Sequence, residues 1–139
     1  MSAPIPTRIL DTLASSRTAA TVARLQAGAG PLLLYMYAVA LPDTPGAAIS
    51  AAPIATAELD RATVSAAGRQ VSIAPPADPP MALAGATLLS ARLVAADGAP
   101  LLEGEVGDDV SAALVRIVGG TTVRAGDLLV IRTIRLIDP

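Results

Sequence analysis

The densest group of side chains able to hold an ion or move a proton is acidic: Glu103, Glu105, Asp108 and Asp109. Glu103 and Glu105 are two apart, so on a strand they share a face. Asp108 and Asp109 follow Gly107 in an expected turn. Clustered carboxylate oxygens suit a hard cation such as calcium, and this is the one metal candidate in the chain. The same acids suit a solvated edge strand, where charge discourages pairing with another chain. Paired carboxylates also run glycoside hydrolysis, but sugar sites are built on aromatic platforms and the only rings here are Tyr35 and Tyr37.

A second group is cationic. All ten basic residues are arginines, and Arg116, Arg124, Arg132 and Arg135 crowd the last quarter of the chain. The planar guanidinium makes paired bonds to carboxylates and is enriched at interfaces, so these four are candidates for contact with a partner; intramolecular pairing or plain solvation is the alternative. Arg132 and Arg135 are three apart, which on a regular strand sends them to opposite faces. Tyr35 and Tyr37 share a strand face and serve either as core anchors or as an interface stripe. The G-x-G of Gly28 and Gly30 precedes a proline, Pro31, rather than joining a strand to a helix, and has no value as a nucleotide loop.

What the chain lacks is as informative. With no His, Cys or Lys among its 139 residues, it has no base for a serine nucleophile and no Ser–Lys pair. Disulfides, thiolate chemistry and a zinc site of the usual kind are excluded as well. General acid–base work would fall to carboxylates alone, and none sits in an apolar run that would raise its pKa. A non-enzymatic protein without a cofactor is expected. The net charge is −2, which argues against nucleic acid, whose binders present a basic footprint. The first six residues lack the features of a signal peptide. The longest apolar run, Leu32 to Leu41, is about half the roughly 20 residues a spanning helix needs, so no membrane partner is expected.

These groups must be positioned by a mainly β chain. Residues 1–6 hold two prolines and read as an extended arm. Residues 7–28 read as the one helix, capped by Thr7 and ended by Gly28, with Ile9, Leu10, Leu13, Ala20 and Leu25 approximating its apolar face and Ser15, Ser16, Thr18 and Thr21 diluting it. A break near Ser15–Ser16 into two shorter pieces is the alternative. Residues 29–139 read as an antiparallel β-sandwich or jelly-roll-like domain: strand-length runs at 32–41, 54–59, 69–74, 86–95, 100–106, 110–118 and 128–137 are divided by turn signals, of which Asp97-Gly98 is a strong hairpin turn. The run Leu128-Leu129-Val130-Ile131 is apolar on both faces, as in a strand central to a sandwich or part of an interface. Hydrophobic residues make up 53% of the chain with no Phe or Trp. The core must therefore be built of Leu, Ile, Val and Ala, each burying less area than a large ring, and self-association would supplement it.

Three stretches carry a family resemblance: Leu33-Leu34-Tyr35 leading to Pro42-Asp43-Thr44-Pro45-Gly46; Ala91-Arg92-Leu93-Val94-Ala95-Ala96-Asp97-Gly98 followed by Gly104-Glu105-Val106-Gly107; and Ala125-Gly126-Asp127 before the last strand. Together with the N-terminal helix, they resemble a loosely defined group of small bacteriophage structural proteins encoded among head and tail genes. The resemblance implies a virion part assembled in the host cytoplasm, a capsid decoration (cement) protein whose partner is the major capsid protein. A tail, collar, baseplate or fibre component, or a small calcium- or sugar-binding β-module, are the alternatives.

Overall fold

The computed structural model of the chain describes residues 11–108 and 110–137. Helix α1 (Asp11–Gln26) is followed by ten strands: β1 (Leu32–Tyr37), β2 (Ala55–Leu59), β3 (Ser65–Ala67), β4 (Gln70–Ile73), β5 (Ala86–Thr87), β6 (Ser90–Val94), β7 (Pro100–Asp108), β8 (Val115–Ile117), β9 (Thr122–Val123) and β10 (Ile131–Ile137). The expected mainly β domain with one N-terminal helix is what forms. The arm, the Thr7 cap, Ile9 and Leu10 lie outside the described residues.

Eight strands make one sheet in the order β2-β1-β6-β7-β8-β10-β4-β3. Every neighbouring pair is antiparallel except β7 and β8, which run parallel. The nine residues of β7 bridge two halves: its first part pairs with β6 and its last three residues with β8. The two ends of the sheet, β2 and β3, are consecutive in sequence and joined only by residues 60–64. Seven strand spacings on the flat would separate them by roughly 34 Å, whereas six residue steps reach at most roughly 20 Å. The sheet must curl, and it wraps one continuous core drawn from both halves: Leu32, Leu34 and Met36 of β1 and Leu93 of β6 pack in the same cluster as Val71 and Ile73 of β4, Ile117 of β8 and Ile134 of β10.

The linking segment is itself held. Asp60 caps a 3₁₀ turn at Arg61–Thr63 by accepting the Ala62 N–H, Val64 is buried, and the end of α1 ties down on it: Gln26 Nε2 donates to the Val64 carbonyl and Arg61 Nη1 to the Ala27 carbonyl. The helix ends as expected at Gly28, whose φ of +92° suits glycine. The Leu13 side chain lies outside the described residues; of the rest of the expected stripe, Leu25 is buried. Ala20 is exposed, and the residues turned inward are Thr18, Thr21, Val22 and Leu25, spaced i, i+3, i+4, i+7. Threonine is tolerated there because its hydroxyl can bond the helix backbone, as Thr21 Oγ1 does to the Arg17 carbonyl.

The strand boundaries depart from the apolar runs in five places, the first being the run at 32–41, which is strand only as far as Tyr37. β3 is a hairpin partner of β4 across the two-residue turn Gly68-Arg69, where Gly68 takes φ +61°; its Ser-Ala-Ala sequence is exposed and gives no hydrophobic signal. The run at 86–95 splits into β5, which pairs with β9, and the fully buried β6. In the run at 110–118 only Val115–Ile117 is strand, because Asp108 turns the chain by accepting the Val110 N–H on its side chain and the Ser111 N–H on its carbonyl. Residues 127–129 pair with 80–82 before β10 begins. A bare glycine on β7 also makes room inside: a Cβ at Gly104 would stand 2.7 Å from that of Leu114, which fills the core there.

Candidate functional site

The outer surface of the curled sheet has two differently dressed halves. On the β1–β6–β7 half, strand alternation turns Leu34 and Met36 inward and Tyr35 and Tyr37 outward. Register then sets Tyr35 beside Arg92 and Arg92 beside Glu103 in one row. Arg92 Nε and Nη2 both donate to Glu103 Oε2, at 3.1 and 2.7 Å, and Glu103 Oε1 accepts the Gly46 N–H at 2.9 Å.

Gly46 belongs to the long connection between β1 and β2, residues 38–54. To reach Glu103 on β7 it must cross β6, and it is pinned on the way by Ser90 Oγ, which donates to the Val39 carbonyl at 2.6 Å. Ser90 and Arg92, on the outer side of β6, are buried beneath this connection, Arg92 at 7% exposure, while Ala91 and Leu93 are buried on the core side. The Arg92–Glu103 pair is thus a clip that holds a strap over the sheet. The Gly46 N–H first and the Arg92 guanidinium second hold the Glu103 carboxyl below its ordinary value, while burial raises that of the Tyr37 phenol against the weaker opposing pull of Arg92. Tyr37 is buried, at 8% exposure, on the outer side of β1, and Tyr35 is half-buried beside Arg92.

The acidic group does not come together as one site. Glu103 commits both oxygens to the clip, Glu105 is exposed opposite Ser90, and Asp108 serves the turn after β7. Asp109 lies outside the described residues. Among the described residues no three His, Cys, Asp or Glu side chains lie close enough to hold a metal ion, and no helix is long and apolar enough to cross a membrane. An open groove of about 990 Å³ lies where β2 runs into the linking segment, facing Pro75 and Pro76; its Asp60 and Arg61 already serve the 3₁₀ turn and the helix end.

The other half, β8–β10–β4, carries the arginines. The expectation that Arg132 and Arg135 point to opposite faces is overturned by a β-bulge between Ile131 and Thr133, where β10 advances two residues against one on β8. The extra residue resets the alternation, so Ile131 and Ile134, three apart, both face the core, and Arg132 and Arg135 both face out. Arg116, between inward Val115 and Ile117 and opposite Thr133, shares that outer face. Arg116 and Arg132 also engage other groups of the chain. Arg124 stands apart, exposed in the turn closed by its own N–H on Asp127 Oδ2.

Sequence reasoning missed the role of Arg92. The signal was present: a single charge inside the apolar run Ala91–Val94, and a count outward from the Asp97-Gly98 turn that sets Arg92 opposite Glu103. Comparison with protein-family models, curated proteins and solved structures finds no match for the chain.

Removing the carboxylate leaves Arg92 buried and unpaired. Glu103→Ala is expected to lower stability by about 3 kcal/mol, and Glu103→Gln, which keeps an acceptor for Gly46, by about 2 kcal/mol, both read by urea unfolding. Because folding depresses the Glu103 pKa, its contribution is complete above the ordinary value of 4.5 and is lost as pH falls through the depressed one. The gap between wild type and Glu103→Gln should therefore hold steady from about pH 7 to about pH 5 and narrow below that; a gap unchanged down to about pH 3 would show that the carboxylate's charge contributes nothing.

Proposed function

We propose that the protein is a non-catalytic structural component of a bacteriophage virion, a capsid decoration protein that docks on the major capsid protein in many copies. The observation that carries this reading is the arginine face. Arg116, Arg132 and Arg135 stand on the outer side of one sheet half, two of them brought to that side by a bulge, and a guanidinium fixed on a strand is suited to a partner's carboxylates. The likeness of the three sequence stretches to phage head and tail proteins supplies the identity of the partner. A lattice of identical sites suits such a face, since multivalency turns modest single contacts into firm attachment.

Purified protein should cosediment with undecorated capsids assembled from the major capsid protein of the same phage, and should raise the temperature at which they disrupt. Arg132→Glu with Arg135→Glu should weaken that binding by about 30-fold or more, as loss of a hot spot does, and added salt should weaken wild-type binding. Capsids left bare by saturating protein would refute the decoration role. Undiminished binding by the folded double variant would refute the arginine face. Imaging that finds a few copies per particle, rather than hundreds, would assign the chain to the tail, collar or baseplate instead.

A further inference from the structure

Residues 80–82 and 127–129 form a short two-stranded ribbon, continued by Leu83 and Val130: Ala82 N–H donates to the Asp127 carbonyl and Leu129 N–H to the Pro80 carbonyl, both at 2.8 Å. The ribbon alternates like a sheet with one face on the core and one on water, and Ala82 and Leu129 are buried. Its outer face is nonetheless apolar. Met81, Leu83, Leu128 and Val130 are each more than half exposed. Met81 and Leu128 stand directly opposite one another, so their Cβ atoms are about 5 Å apart. Val118, whose N–H donates to the Val130 carbonyl, adds a fifth apolar side chain, just over a third exposed. From these exposures the patch offers roughly 500 Å² of uncharged surface, a size that on a monomer commonly marks an interaction site. This is also the run that its sequence marks as apolar on both faces: Leu129 fills the core, and Leu128 and Val130 are left outside.

We propose that this ribbon is the contact surface between two copies of the chain, packed face to face about a two-fold axis. Size selects the occupant. A stable interface takes about 800 Å² from each partner, and in homodimers about 65% of it is apolar, which is roughly what the five side chains supply. A two-fold axis sets the same patch on both sides, so each apolar face meets an equal one. The gain falls where the chain is poorest, since its core has no large rings and additional apolar burial adds stability in proportion to area. Dimer formation is independent of the capsid reading and belongs to the purified protein in dilute solution.

Sedimentation equilibrium of the full chain over the micromolar range tests it. Wild type should sediment at twice the monomer mass, and Leu83→Asp with Leu128→Asp should raise the dimer dissociation constant by at least about 100-fold, with an unchanged circular dichroism spectrum. Because the chain has no cysteine, a second variant gives a separate readout: Leu128→Cys should form a disulfide-linked dimer under mild oxidation, whereas Val110→Cys, at an isolated residue that is still more exposed, should not. A wild type that stays monomeric, a folded double variant that stays dimeric, or equal cross-linking at both cysteine positions overturns the proposal.

Discussion

Five residues between β2 and β3 set the shape of this molecule. The sheet places these strands at its two ends, while the chain places them within roughly 20 Å of each other. Only a curled sheet satisfies both, and the curl lets residues from all the main strands share one core. The link is short, but it is not slack. Asp60 caps its 3₁₀ turn, Val64 is buried in the core, and the C-terminal end of α1 bonds to it through Gln26 and Ala27. The helix therefore acts as a brace on the segment that holds the two edges of the sheet together. Aliphatic side chains suffice for the core because the curled sheet presents inward-facing residues from opposite sides.

Curling also gives the protein two unlike exteriors. Over β6 the strap of residues 38–54 is clipped by Glu103, and a guanidinium that would otherwise face water is enclosed. Such a pair gains less from its own attraction than it would lose if broken, because either partner alone would be a charge held out of water. Its effect is to fix where the strap lies. Over β8, β10 and β4 the sheet carries Arg116, Arg132 and Arg135 on its outer side, and the bulge at Arg132 changes which residues it displays. The apolar ribbon of 80–83 and 127–130 adds a third kind of surface. Covered, charged and apolar regions on one small body are what a structural part needs if it is to meet different neighbours through different faces.

Much of the fold could be read from the sequence. Turn chemistry located the hairpin at Asp97-Gly98, whose strands pair with a register shift between Leu93 and Val94, and the aliphatic composition required the ringless core that forms. The failures have particular physical causes. β3 escaped because Ser65-Ala66-Ala67 has no apolar alternation and exists by pairing to β4. The faces of Arg132 and Arg135 were misassigned because a bulge depends on pairing with β8 and leaves no mark in the residues themselves. The acids at 103–108 stood out as a cluster on density alone, yet their roles divide between a clip, an exposed strand position and a turn, according to which partner the fold brings to each. The clip was the more readable feature, and it required pairing residues across a hairpin rather than along the chain.

The most direct test of the curled sheet is the distance between its two edges. Cysteines introduced at exposed Thr56 on β2 and Ala66 on β3 would be the only ones in the chain and can carry a pair of spin labels. Ten residue steps separate the two positions and allow up to roughly 34 Å, so connectivity alone does not hold them close. A sheet closed around one core predicts a narrow distance distribution at or below about 20 Å between the labelled backbone positions, the reach of the 60–64 link. A distribution centred near the roughly 34 Å of a flat sheet, or spread broadly between the two values, would contradict it and show that the halves are not held around one core.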